Sequence, residues 1–166
     1  GEVIGECPAL TEHDVEQAIA SAQDAFKFWS KQTAAHRASV LKRWHALILE
    51  NREELARIMT TEQGKPIKEA RVEIDISAAD VEWFAEEARR VYGDVIPSPV
   101  GGRQTIVTKH PVGVTAAITP WNFPASMFTR KLAPALAAGC AMIVRPSDRT
   151  PFVALAFAEL GREAGL

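Results

Sequence analysis

Apolar residues recur every three to four positions through the first half of the chain, and this spacing predicts successive amphipathic helices up to about Tyr92. Thr11 with Asp14 three residues later has the form of a capping box. It opens a first helix whose Val15, Ala18, Ile19, Ala22, Ala25 and Phe26 share a face before the helix ends near Trp29. A second helix starts at about Thr33 and turns Val40, Leu41, Trp44, Leu47 and Ile48 to one side; Asn51 with Glu54 caps a third carrying Leu55, Ile58 and Met59. Gly64 and Pro66 close that helix and open a fourth, running to about Tyr92 with Ile76, Ala79, Trp83 and Phe84 inward.

Beyond a boundary at Gly93 to Gly102 the period changes. Arg103 to His110 and Val112 to Ile118 are β-branched runs joined through Pro111, Val112 and Gly113, which predicts two adjacent strands. A helix follows over Ala125 to Ala138, carrying Pro134 inside it and stopped by Gly139. Cys140 to Val144 reads as a short buried strand, and Thr150 to Ala164 as a helix with Thr150 as cap and Pro151 in its first turn. The order strand, helix, strand, helix is a βαβ crossover with its following helix, so the predicted class is α/β: a helical segment leading into the first β-α-β units of a Rossmann-like domain. The corresponding division is a helical segment at 1–92, a connecting loop and strand at 93–111, and a partial nucleotide-binding β-α-β-α unit at 112–166.

Composition narrows the partners. With 47% hydrophobic and 24% charged residues in 166, the chain is long enough for a real core and is neither fibrous nor disordered in type. A formal charge of -2, with 19 basic against 21 acidic residues interspersed, gives no basic excess for a phosphate backbone, so nucleic acid is not an expected partner. The most apolar stretch, Leu132 to Val144, contains Pro134 and Gly139 and falls short of the roughly 20 continuous apolar residues of a membrane helix. Cys7 and Cys140 are far apart in sequence and form neither a disulfide framework nor a zinc pattern, which points to a reducing compartment. His13, His36, His45 and His110 have no ligand spacing, and no metal is expected. The chain begins at Gly1 and stops directly after its last helix, so both ends read as cuts.

In an open parallel sheet, ligands settle outside the carboxyl ends of the strands, and both loops there carry polar residues bounded by proline. In Thr119-Pro120-Trp121-Asn122-Phe123-Pro124 the two prolines stiffen a turn around the Asn122 amide. A fixed amide donor suits an oxyanion, because its dipole does not reorganise during reaction; the alternative is that Asn122 only satisfies turn backbone. In Arg145-Pro146-Ser147-Asp148, an acid can accept from the ribose 2'-hydroxyl of NAD and a cation can accommodate the 2'-phosphate of NADP; alternatively Asp148 helps to cap the next helix. The GxGxxG fingerprint of an ordinary dinucleotide loop is absent. Arg130 and Lys131 are either a solvated face or, for Arg130, a forked carboxylate receptor. Cys140, with no histidine beside it as an activating base, reads as a small buried hydrophobe.

Taken in order, PWNFP at 120–124, KLAPALAAGC at 131–140, RPSDRTP at 145–151 and AELGREAGL at 158–166 resemble the aldehyde dehydrogenase superfamily. GEVIGECPAL, EQGKPIKEA, EWFAEEARRVYGDVIP and TRK at 129–131 are similar to its succinate-semialdehyde dehydrogenase branch. The resemblance covers the whole chain, as the amino-terminal third of a subunit. It implies NAD or NADP as cofactor, with a lean to NAD, and a small aldehyde as substrate. Asn122 would be the side-chain donor of the oxyanion hole. Ile118, Thr119, Pro120 and Trp121 would line the nicotinamide side of the cleft, and Arg145, Pro146, Ser147 and Asp148 would face the adenosine ribose. Arg130 would hold the substrate's distal carboxylate. The family commonly has Lys where this chain has Arg145. The nucleophilic cysteine and general-base glutamate belong downstream of Leu166, so the segment alone is expected to be inactive. A homo-oligomeric parent in the bacterial cytoplasm or a mitochondrial matrix is implied. The competing expectations are a dehydrogenase for another aldehyde and a truncated module docking on full-length subunits.

Overall fold

The computed structural model describes residues 2–166. Among the described residues there are six α-helices, α1 (Glu12–Trp29), α2 (Ala34–Glu50), α3 (Arg52–Gln63), α4 (Ile67–Glu87), α5 (Pro124–Ala138) and α6 (Pro151–Ala164), and two small two-stranded sheets. β1 (Asp94–Pro97) and β2 (Gln104–Val107) form an antiparallel hairpin, while β3 (Val114–Ile118) and β4 (Ala141–Arg145) pair in parallel with α5 as their crossover. Among the described residues no helix is long and apolar enough to cross a membrane, and no group of acids, histidines and cysteines could hold a metal ion.

The first helix opens as its sequence predicts: Thr11 accepts from the Asp14 amide, and the Asp14 carboxylate accepts from the Thr11 amide at 2.7 Å, completing the capping box. α2 buries Val40, Leu41, Trp44 and Ile48 as expected, with Trp44 at the centre. Its indole N–H donates to the Phe157 carbonyl at 3.0 Å, and its ring meets Phe128 and Phe157 edge to face. One core therefore joins α2, α3 and α4 to α5 and α6.

Several expectations are corrected. In α4 the inward face is Ala70, Glu73, Ile74, Ser77, Ala78, Val81 and Ala85, whereas Ile76, Ala79 and Trp83 lie outside, Trp83 at 64% exposure. α4 packs closely on α2 and α5 through a stripe in which alanines and Ser77 alternate with Ile74 and Val81, and Trp83 falls on the opposite side. The helix also ends at Glu87 and tightens into a 3-10 turn over Ala88–Arg90 rather than reaching Tyr92. In α1, Val15, Ile19 and Ala25 remain exposed and only Trp29 is fully buried. The strand at 104–107 pairs with 94–97, inside the stretch read as a boundary, and not with β3. Asn51 does not cap α3 with its side chain; its amide donates back to the Leu47 carbonyl at 2.9 Å and closes α2.

The helices of the β-α-β-α unit are held at their ends by side chains of the first half. At α5, the Glu73 carboxylate accepts from the amides of Ala125 (3.0 Å) and Ser126 (3.2 Å), while Trp29 and Arg37 donate to the Leu136 and Ala137 carbonyls at the other end. At α6, Glu62 accepts from the amides of Phe152 (2.8 Å) and Val153 (3.0 Å), and Arg43 donates to the Ala164 carbonyl at 3.0 Å. Acids at amino ends and cations at carboxyl ends also complement the helix dipoles. Glu62 thus takes the capping role expected of Thr150, whose buried hydroxyl has no hydrogen-bond partner among the described residues. Gly139 at φ 93° closes α5 and turns the chain into β4, a backbone conformation that disfavours other residues.

Burial raises the Glu62 carboxyl above its ordinary range, against the lowering effect of the Val153 and Phe152 amides. A carboxyl whose folded pKa lies above its unfolded one contributes stability below the unfolded pKa and loses it as pH rises through the folded one. Glu62→Gln keeps an acceptor oxygen without the charge. The melting temperature of this variant should therefore gain on that of the wild type as pH rises from about 4 to 7 in parallel thermal melts. The opposite trend would mean that the helix amides stabilise the carboxylate more than burial opposes it.

Candidate functional site

The parallel register pairs Ile118 with Arg145, the last residues of β3 and β4, and the Thr119 amide continues the ladder by donating to the Arg145 carbonyl at 3.1 Å. Both proline-bounded loops therefore leave the same sheet edge side by side. Ile118, Pro120, Trp121, Asn122, Arg145 and Asp148 are exposed, Pro146 and Ser147 half-buried, and Thr119 buried beneath them. Bends at Trp121, Asn122 and Phe123 lead into α5, whose first residue Pro124 needs no amide partner of its own.

The turn is braced from a distance. Gln63 donates to the carbonyls of Trp121 (2.8 Å) and Asn122 (3.0 Å). Lys65 donates to the same Asn122 carbonyl at 3.0 Å and to the Glu73 carboxylate, and its ammonium lies 4.2 Å from the centre of the Phe123 ring. Glu73 is 2% exposed and joins this cation to the first amides of α5. Among the described residues none takes a hydrogen bond from, or gives one to, the Asn122 carboxamide; the backbone of its turn is satisfied by Gln63 and Lys65 instead.

In the second loop the Ser147 hydroxyl accepts from the Arg149 amide at 3.2 Å and the Ser147 carbonyl from Thr150 at 3.1 Å, forming a turn. Asp148 stays on its surface and leaves the capping of α6 to Glu62. Arg130 projects from α5 at 53% side-chain exposure, with Nε 3.8 Å from Asp80 of α4. Burial raises the Asp80 carboxyl above its ordinary range although Arg130, and then the Thr129 hydroxyl, act to lower it. Lys131 is exposed, and Cys140 is buried at the turn into β4, as expected of a small hydrophobe. A groove of about 680 Å³ between α1, α5, β4 and α6 is lined by apolar residues such as Trp29, Leu136, Met142 and Phe157 and by none of the candidate residues.

Sequence reasoning did not find Gln63, Lys65, Glu62 or Glu73. They lie in the stretch EQGKPIKEARVE, most of which served only as a mark of resemblance, and apart from the Lys65–Glu73 pair their partners are 52 to 91 residues away.

A helical layer joined to a parallel β-α-β-α unit, with paired polar loops at the carboxyl ends of its strands, has the form of part of an open α/β fold. The aldehyde dehydrogenase family matches over residues 1–166, and the chain belongs to that family. It is 54% identical over 166 residues to a 3-sulfolactaldehyde dehydrogenase of Pseudomonas putida, covering 100% of this chain and 34% of that relative. It is also 54% identical over 165 residues to a succinate semialdehyde dehydrogenase of Acinetobacter baylyi, covering 99% of this chain and 34% of the relative. A crystal structure of an aldehyde dehydrogenase from Brucella melitensis biovar abortus superposes with a TM-score of 0.99 at 55% identity, over all of this chain and 34% of that one. The chain thus spans about a third of the length of the relatives it matches.

Proposed function

We propose that this chain is the amino-terminal, cofactor-binding portion of an NAD(P)-dependent aldehyde dehydrogenase that oxidises a small aldehyde with an anionic far end, succinate semialdehyde first among them. The observation that carries this reading is the proline-framed turn at 119–124. It lies at the carboxyl end of β3 beside the β4 loop; no described residue hydrogen-bonds the Asn122 carboxamide, and Gln63 and Lys65 satisfy the carbonyls of Trp121 and Asn122.

The residues present fit a nucleotide. Exposed Ile118 and Trp121 offer apolar surface for a nicotinamide, and Arg145 with Asp148 offers a cation and an acid for the ribose. When bound, the cofactor accepts the hydride. For its part, Asn122 donates an N–H to the aldehyde oxygen as that oxygen gains negative charge, and Arg130 directs its fork to the substrate's anionic tail. The nucleophile and the general base come from residues outside 1–166, so the segment alone turns over no aldehyde. The lean to NAD rests on Asp148, and titrating the full-length protein with each dinucleotide tests it. We also infer a homo-oligomer in a bacterial cytoplasm or mitochondrial matrix.

The relatives named for succinate semialdehyde and 3-sulfolactaldehyde support an anionic substrate, since one aldehyde carries a carboxylate and the other a sulfonate. A charged hydrogen bond of about 1.5 to 3 kcal/mol predicts that Arg130→Ala in the full-length enzyme lowers kcat/KM for such aldehydes about 10- to 150-fold. The half-exposed setting and the Asp80 carboxylate nearby favour the lower end of that range. A neutral aldehyde of the same length should lose little. Equal losses on both substrates would overturn the assignment.

A further inference from the structure

The two peptide groups on either side of the Asn122 Cα are both gripped from outside the loop. The Trp121 carbonyl belongs to the peptide entering residue 122 and accepts from Gln63; the Asn122 carbonyl belongs to the peptide leaving it and accepts from both Gln63 and Lys65. Fixing both planes fixes φ and ψ at residue 122, and with them the direction of its Cα–Cβ bond. Lys65 is in turn held by Glu73, a buried carboxylate that also accepts from the first amides of α5. A carboxylate at that depth keeps its partners because an unpaired charge there is strongly disfavoured, so the ammonium is confined to one place. The turn, the ammonium and the start of α5 are thereby locked to the junction of α3 and α4.

We propose that Gln63, Lys65 and Glu73 are positioning residues for Asn122: they act by fixing its backbone and so aiming its carboxamide. The proposal rests on the reading of Asn122 as the oxyanion donor. It goes further by assigning the direction of that donor to an ion pair and an amide on the α3–α4 junction.

The test uses the full-length enzyme that carries this segment. Lys65→Met with Glu73→Gln removes both charges together, while the glutamine oxygen still accepts from the α5 amides. Gln63→Met is the second variant and leaves the buried ion pair intact, so it reports even if the double variant folds poorly. Each is made in the wild-type and in the Asn122→Ala background, with thermal melts, dinucleotide affinity by fluorescence titration, and kcat and KM for the aldehyde. With Asn122 present, the double variant should lower kcat about 10- to 100-fold and Gln63→Met about 3- to 10-fold, as expected for a misplaced catalytic group, with dinucleotide affinity and KM little changed. In the Asn122→Ala background both losses should shrink to less than about threefold, because groups that act through one another are not additive. Equal losses in both backgrounds, or no loss in the wild-type background, would overturn the positioning role and leave the oxyanion reading intact. If Asn122→Ala itself left kcat unchanged, both would fall together.

Discussion

Asn122→Ala in the full-length enzyme should lower kcat about 100- to 1,000-fold while leaving dinucleotide affinity nearly unchanged, the loss typical of deleting one preorganised oxyanion donor. The expectation follows from how the turn is satisfied. Gln63 and Lys65 occupy the Trp121 and Asn122 carbonyls, so the carboxamide is not spent on local backbone, and its removal should not unfold the loop. An interaction made only as charge develops on the substrate acts on turnover and not on binding. Stopped-flow or steady-state kinetics alongside a dinucleotide titration separates the two, and a matching loss in both would show that the residue only shapes the cleft.

The second large effect falls on stability. Trp44→Ala should destabilise the fold by about 3 to 5 kcal/mol, the usual range for truncating a fully buried large aromatic. Trp44 is completely buried, touches Phe128 of α5 and Phe157 of α6, and gives its indole proton to the Phe157 carbonyl. Its loss opens a cavity where α2 meets both helices of the β-α-β-α unit. Denaturant unfolding monitored by far-UV dichroism measures the change; a loss below about 1 kcal/mol would mean that the surrounding helices collapse into the space. Trp44→Phe should retain most of the packing and lose chiefly the hydrogen bond, about 1 kcal/mol.

The legible parts of the chain were those whose signal is local. α2 was readable because Val40, Leu41, Trp44 and Ile48 are large, apolar and spaced for one face. The capping box at Thr11 and the stop at Gly139 are each written within a few residues. The loop at 119–124 announced itself through its prolines, and the βαβ order followed from the change of period. α4 misled because its buried stripe mixes Ile74 and Val81 with alanines, Ser77 and the charged Glu73, so that counting the largest apolar positions selected the side of Ile76 and Trp83. The hairpin partner of β2 was missed because Asp94–Pro97 sits among glycine, proline and serine, which mask a four-residue strand. The braces of the candidate site were beyond local reading altogether: nothing near Gln63 or Lys65 reveals that their acceptors lie at Trp121 and Asn122.

The end contacts of α5 and α6 also bear on how this protein can be cut and recombined. Glu73 and Glu62 are borrowed by the later helices from the earlier ones, as are the donors Trp29, Arg37 and Arg43. Transplanting residues 112–166 into a foreign scaffold would therefore strip the amides of Ala125, Ser126, Phe152 and Val153 of their acceptors and take side-chain donors from the carbonyls of Trp121, Asn122, Leu136, Ala137, Phe157 and Ala164, however well the sheet itself were grafted. A workable exchange between relatives has to take the helices at 12–87 along as the same cassette.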